Sequence, residues 1–452
     1  MSSLTSSSPS AGGSPPPAAD DPTSSLLTWL TASGCTSSVI FPSYLPHRTS
    51  LASSPIPSDA PILKVPFKCM ICPPNCLRSP KDQLGITLKD MWVTGQLRGD
   101  TLLAFLISRE VILGADSDFE PYIRFLREIE EPETIEVWED EELEELKDEV
   151  IVKRSRLRLR EQSGMHKRVL AQLSSHTPSL SLSPLTLDLH LWSWRILQSR
   201  AFGRRLPWTS LVPLADCLNH SNVCVRYKLE KDNEIVNPYE KYTHDPESGD
   251  FIMYPSKGNS YAEGEEVFNS YGRRSNSHLM LDYGFCLTDN EWESVTFVQR
   301  LYRPQEVTEL YSKLKACLNR AGFNVVRNLK LNRTTFQKGL MFCRIVNLTE
   351  EEADELIKGG DGDGIEKCGT EKIECDVISK SNEVKALHAM LALLNTFDTS
   401  ALEEDEKLLE SEEVEGRLRA AIIYRTERMR IVKRAVDMCE EMLQRIERME
   451  SM

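Results

Sequence analysis

No run of about 18 apolar residues, the length a membrane-spanning helix needs, occurs in this chain of 452 residues. Lysine and arginine are missing before Arg48. A secretory signal needs a basic start and an apolar stretch, and an organelle transit peptide needs arginine. The opening Ser, Pro, Ala and Gly residues, 1–23, therefore read as a disordered tail. Positive charge is short overall: 54 Lys and Arg face 69 Asp and Glu, a formal net charge of −15. That disfavours a general nucleic-acid surface and suits a basic or lysine-rich protein partner. The twelve cysteines are scattered through apolar segments of a long chain, which excludes the dense disulfide framework of a small secreted protein. A reducing intracellular compartment is expected, cytoplasmic or nuclear, with an organelle left open.

What is present is ordinary for a folded, soluble chain: 40% hydrophobic and 27% charged residues, enough for roughly two to four domains. Residues 24–31 predict a short amphipathic helix with Leu26, Leu27, Trp29 and Leu30. Residues 60–66 predict a strand closed by proline, and 101–113 a helix ending at Gly114. An acidic helix is expected over 139–149, its glutamates a solvated face answered within the chain by the basic run 154–168. A tryptophan-bearing helix over 187–197 leads into Arg200. Downstream, 305–321 has an apolar stripe, Val307, Leu310, Leu314 and Cys317, capped by Gly322. Residues 387–397 read as buried. The last helix, 414–446, carries Met429, Val432, Val436, Cys439 and Leu443 at spacings of three and four, so it must pack against other helices.

Two stretches invite a metal and do not sustain it. Cys69, Cys72 and Cys76 form C-x-x-C-x-x-x-C, but zinc wants a fourth ligand and Pro73 and Pro74 interrupt the loop, so packed thiols are expected. The G-G-D-G-D-G run at 359–364 lacks the distal glutamate of a calcium loop and reads as a flexible excursion.

The chemistry concentrates between residues 199 and 285. Ser199-Arg200-Ala201-Phe202 is followed by P-L-A-D-x-L-N-H-S at 213–221, an apolar run ending in Asp216, Asn219, His220 and Ser221. Then comes S-Y-G-R-R-S-N-x-x-L-x-L-D-Y-G-F at 270–285. An apolar run that ends in clustered polar side chains suits a ligand site at the end of an element. In this order the three blocks resemble the SET-domain protein methyltransferases, within them the branch typified by the Rubisco large-subunit lysine methyltransferase. The similarity runs from about residue 26 to about residue 446.

The resemblance implies an α+β fold: an all-β SET core (24–77 and 191–288) holding a helical insertion (78–190), then an all-helical substrate-binding domain (289–452). It implies S-adenosylmethionine-dependent methylation of a lysine on a non-histone protein substrate, by a monomer without metal, nucleic acid or membrane. Tyr271 is then the catalytic residue, since a phenolic oxygen can meet developing charge and orient the amine. Asn219 and the His220 backbone would hold the cofactor, Arg200 its carboxylate and Phe285 its adenine. Arg204, Asp216 and Tyr283 would serve the target lysine, although Asp216 could equally be a structural carboxylate paired with Arg200 or Arg204. The family branch that methylates histidine has a small residue where Tyr283 stands, which favours lysine.

One departure stands out: the family's glycine-containing turn corresponds here to residues 47–52, His-Arg-Thr-Ser-Leu-Ala, although glycine is what permits φ > 0 and close backbone approach to a ligand. That keeps an alternative open, a catalytically weak SET-like protein-binding module.

Overall fold

The computed structural model describes residues 21–41, 49–128, 133–203, 206–231, 234–235, 249–358 and 377–449. The predicted residues Arg204, His47 and Arg48, the 359–364 run and the first twenty residues of the expected tail lie outside them. The described residues group into two units, one of Met1–Pro132 with Arg160–Tyr271, the other of Glu133–Leu159 with Gly272–Met452.

In the first unit the strands are short: β1 Thr36–Ser37, β2 Val39–Ile40, β3 Leu51–Ala52, β4 Leu63–Val65, β5 Ala201–Phe202, β6 Ser210–Leu211, β7 Val225–Lys231, β8 Glu234–Ile235 and β9 Asp250–Pro255. A five-stranded antiparallel sheet runs β1-β4-β9-β7-β8, and β2-β3 and β5-β6 are separate pairs. Phe251, Ile252 and Met253 at the centre of β9 are all buried, as a strand covered on both faces requires. The expected strand at 60–66 is β4, ended by Pro66, which has no N–H to continue the ladder.

Helices surround this sheet. Pro22–Ala32 begins inside the expected tail because the Asp21 carboxylate accepts from the N–H groups of Thr23 and Ser24, an N-cap the composition had concealed. Gly99–Leu113 ends where Gly114 takes φ 54°, and Leu187–Arg200 runs directly into the first site residue. Cys69, Cys72 and Cys76 are buried in the apolar core; burial pushes Cys72 up to about 12 and raises the other two.

The second unit differs from an all-helical expectation. Val295–Arg300 (β10) and Val326–Leu331 (β11) pair antiparallel, with Val295, Phe297, Gln299, Leu329 and Leu331 turned inward. The alternation in V-T-F-V-Q-R was a strand signal. This sheet shares an apolar core with the helices Phe336–Val346, Lys380–Leu394 and Gly416–Arg448, and Val432 and Cys439 of the expected seam are buried there. The helix predicted over 305–321 starts later, Glu309–Arg320, capped by the Thr308 hydroxyl. Val307 is thereby left exposed.

The acidic helix is also shorter, Asp140–Glu144, because Lys147 adopts φ 49° and the next helix starts at Glu149. Glu139, Asp140, Glu141 and Glu144 are exposed, as a solvated face requires, and the half-buried Glu142 and Glu145 meet arginines. Arg417 pairs with Glu142, and Arg425 forks onto Asp405 at 2.6 Å while reaching Glu145 at 2.8 Å. From the basic run itself, Arg156 meets Asp140 at the surface.

Candidate active site

The 213–221 block owes its shape to one unusual residue. Leu214 takes φ 67° and is buried, a positive-φ backbone that bulky side chains avoid, that costs about 1–3 kcal/mol and that persists only where neighbours enforce it. It starts the turn Ala215–Cys217, which returns the Asp216 N–H to the Val212 carbonyl at 3.2 Å and turns the Asp216 side chain inward.

Beyond the turn, His220 forms a parallel bridge with Asn269. Its two bonds fall on the flanking residues, Asn269 N–H to the Asn219 carbonyl at 2.8 Å and Ser221 N–H to the Asn269 carbonyl at 3.2 Å. This short ladder joins the 213–221 block to the start of the 270–285 block at Tyr271. The Tyr271 N–H donates to His220 Nδ1 at 3.1 Å, and the two rings stack 4.9 Å apart at 13°. An Nδ1 that accepts puts the neutral ring's proton on Nε2, and burial holds His220 below its ordinary value. The Tyr271 hydroxyl donates to the Leu218 carbonyl at 3.0 Å. Its one proton is therefore committed to that carbonyl.

The Asn219 side-chain amide donates to Glu266 at 2.9 Å. Glu266 bridges to Leu51, so the segment that lacks glycine is built into the same place. Its Ser50 carbonyl accepts from Val267 N–H at 2.7 Å, the Ala52 N–H donates to the Glu265 carbonyl at 2.8 Å, and the buried Ser50 hydroxyl donates to the Cys217 carbonyl at 3.3 Å. Thr49 to Ala52 thus keeps its backbone beside the site without glycine.

Arg200 leaves its helix with Nη1 donating to the Asp216 carbonyl at 3.1 Å and lying 3.6 Å from Oδ2 of the same residue. That carboxylate has 0% exposure and accepts from the Tyr122 hydroxyl at 2.7 Å. Of the two roles open to Asp216, pairing with Arg200 is the one its geometry serves; a fully enclosed carboxylate does not line the approach of a substrate. Burial raises Asp216, with Arg200 and Tyr122 opposing the shift. The Arg200 Nε is buried and has no acceptor among the described residues. Such an orphaned N–H is uncommon, and the edge it belongs to suits a planar carboxylate.

Tyr122 and Glu266 were not among the predicted site residues. Tyr122 stands in P-Y-I-R-F-L at 121–126; a tyrosine on the buried face of a helix needs a partner for its hydroxyl, and that need was a usable signal.

Tyr283 and Phe285 belong to the second unit, their ring centroids 6.2 Å apart. The helix Asn276–Tyr283 ends at Gly284, φ 80°, where an added Cβ would lie 2.5 Å from the Glu133 carbonyl carbon. Asn276, fully buried, ties the start of that helix to the segment just beyond its end. Its amide donates to the Leu287 carbonyl and accepts from the N–H of Leu287 and the side chain of Asn290. Its own N–H donates to Glu293 at 2.6 Å, and burial raises that carboxyl. Asp282 pairs with Arg158 at 2.9 Å.

The family model described as Rubisco LSMT substrate-binding matches residues 306–432. The [fructose-bisphosphate aldolase]-lysine N-methyltransferase of Arabidopsis thaliana chloroplasts is 27% identical over 90% of this chain and 80% of its own length. The actin-histidine N-methyltransferase of Danio rerio is 28% identical over 58% of this chain and 43% of its own. A crystal structure of the SET domain of LSMT bound to lysine and AdoHcy superposes with a TM-score of 0.66 at 21% identity, covering 94% of this chain and 92% of that one. Fold, ladder and block order together resemble those of the SET-domain methyltransferases. Within that class the similarity is to the Rubisco LSMT-like branch. No helix among the described residues is long and apolar enough to cross a membrane.

Proposed function

We propose that this protein is an S-adenosylmethionine-dependent protein-lysine N-methyltransferase acting on a non-histone protein. The observation that carries the reading is the Tyr271 hydroxyl, fixed by the Leu218 carbonyl while its ring and N–H are held by His220. A phenol whose ring, backbone N–H and hydroxyl are each held can orient an amine and face positive charge without reorganising, which is where preorganised groups lower a barrier.

Bound S-adenosylmethionine supplies a methyl group on a positively charged sulfur. Arg200 offers its Nε edge to the cofactor carboxylate, Asn219 and the His220 backbone hold the amino-acid end, and Phe285 gives an apolar face for adenine. Tyr271 would orient the attacking amine and take no proton, since the lysine ammonium would lose its proton to solvent before the methyl moves, and S-adenosylhomocysteine would leave with the electron pair of the broken sulfur–methyl bond. Tyr283 and Arg204 serve the target side chain, and Asp216 acts by holding Arg200. A tyrosine at 283 favours lysine over histidine, a distinction that matters because relatives of both kinds exist.

The test is transfer of labelled methyl from S-adenosylmethionine into a lysate, followed by acid hydrolysis of the acceptor protein. Label in methyllysine of a non-histone protein is the expected result. Label in methylhistidine would overturn the lysine assignment, and tight cofactor binding without transfer would favour the non-catalytic binding module.

A further inference from the structure

We infer that Tyr122 is a positioning residue for cofactor binding, fixing the Arg200 guanidinium through Asp216 so that its Nε edge meets the carboxylate of bound S-adenosylmethionine. The inference rests on the cofactor reading above and adds a residue that no sequence block contains.

Tyr122 lies in the helix Glu120–Glu128 with Ile123, Phe125 and Leu126, all buried. It is 0% exposed. A phenylalanine would fill the same volume without a hydroxyl to satisfy, and a buried hydroxyl without a partner is costly. The hydroxyl instead spans 94 positions of sequence to Asp216 Oδ2.

Asp216 is where that contact has an effect. Its Oδ1 accepts a weak thiol contact from Cys217 at 3.7 Å. Its Oδ2 lies 3.6 Å from Arg200, too long for a strong hydrogen bond, so attraction of charge does most of the holding. The pair works only while the buried carboxyl stays ionised. The Tyr122 hydroxyl donates to the ionised form and favours it. With the carboxylate kept charged, Nη1 remains on the Asp216 carbonyl and the Nε edge remains turned away from protein acceptors. Tyr122 touches no cofactor atom in this scheme; it acts two contacts away.

The test compares two ligands by calorimetry: S-adenosylhomocysteine, which has the amino-acid carboxylate, and 5′-methylthioadenosine, which does not. Tyr122→Phe should weaken S-adenosylhomocysteine about tenfold, ~1.4 kcal/mol, and leave methylthioadenosine affinity unchanged. The KM for S-adenosylmethionine should rise with kcat retained. Asp216→Asn should also lose affinity selectively, and the double variant should bind no worse than Asp216→Asn alone, because both substitutions act on one chain of contacts. Unchanged S-adenosylhomocysteine affinity in Tyr122→Phe, or equal loss of both ligands, would overturn the inference and leave the functional reading standing. Wild-type protein that binds neither ligand would overturn both.

Discussion

Two buried polar clusters, one in each unit, are built in opposite ways. Around Asn276 the bonds close on themselves: the amide meets Leu287 and Asn290, and the N–H meets Glu293, all within 17 residues. Around Tyr271 and Arg200 the bonds come from far along the chain, Tyr122 to Asp216 and Tyr271 to Leu218, and capacity is left over in the Arg200 Nε. A structural network spends its donors on the protein, whereas a site holds some back for a ligand. Incomplete satisfaction under burial is therefore a better mark of function here than polarity.

Removing groups from each cluster should separate the two kinds. Tyr271→Phe deletes one hydroxyl at almost constant volume; kcat should fall by about 10² or more, ~2.7 kcal/mol, with cofactor affinity unmoved. Single-turnover transfer beside a binding titration checks this, and equal rates would place Tyr271 with the structural cluster.

Asn276→Ala should do the reverse. It leaves the Leu287 N–H and the Leu287 carbonyl without their partner and removes one acceptor from the Asn290 amide, so the urea midpoint should drop by the equivalent of about 2 kcal/mol. Cofactor affinity should hardly change, and a variant that loses binding but not stability would collapse the distinction.

Asn219→Ala sits between them, since the side chain already donates to Glu266 and is assigned to the cofactor as well. Binding weaker by about tenfold, ~1.4 kcal/mol, with a urea midpoint lowered by less than in Asn276→Ala, is expected when a hydrogen bond to a charged ligand and the one to Glu266 are both lost.

His190 is the harder case, because both its ring nitrogens are buried without partners among the described residues, and it packs against His166 and Phe105. Burial holds it down to about 4 from an ordinary 6.5. The unfolded chain takes up this proton near pH 6.5 and the folded one does not, so stability present above pH 6.5 is lost as pH falls toward 4. The wild-type protein should lose about 1 kcal/mol more than His190→Leu over that window, read from urea midpoints at its two ends. No difference would mean that the imidazole finds a partner when folded.

The sequence made the long-period features legible. Apolar spacing located Gly99–Leu113, Leu187–Arg200 and Gly416–Arg448, and the N-H-S and S-Y-G blocks located the ladder that joins them. Periodicity is a local property, and these elements are local. What it could not carry was pairing across distance: nothing near Tyr122 points to Asp216, and nothing near Asn219 points to Glu266. The β10-β11 pair was missed for another reason. Its alternation was visible in V-T-F-V-Q-R, but the resemblance implied helices there and took precedence over the residues. The glycine-free 49–52 segment shows the converse, since the missing glycine kept a catalytically weak module open, while backbone bonds to Glu265 and Val267 hold the strand in place.

Gly284 carries a consequence for how this sequence can drift. Its missing side chain is occupied by the backbone of Glu133, 151 positions earlier, and that neighbour is main chain that no substitution can shorten. Variation at position 284 is therefore closed to every residue with a Cβ. The path of the chain at 133–134 is held from the other side by the same contact. Insertions and deletions that change loop length before Glu133 are tolerable only if the chain returns to the same spot. Two stretches with no similarity in sequence thus share one evolutionary constraint, and among homologues the arrival of any larger residue at 284 should coincide with a rerouted segment at 133.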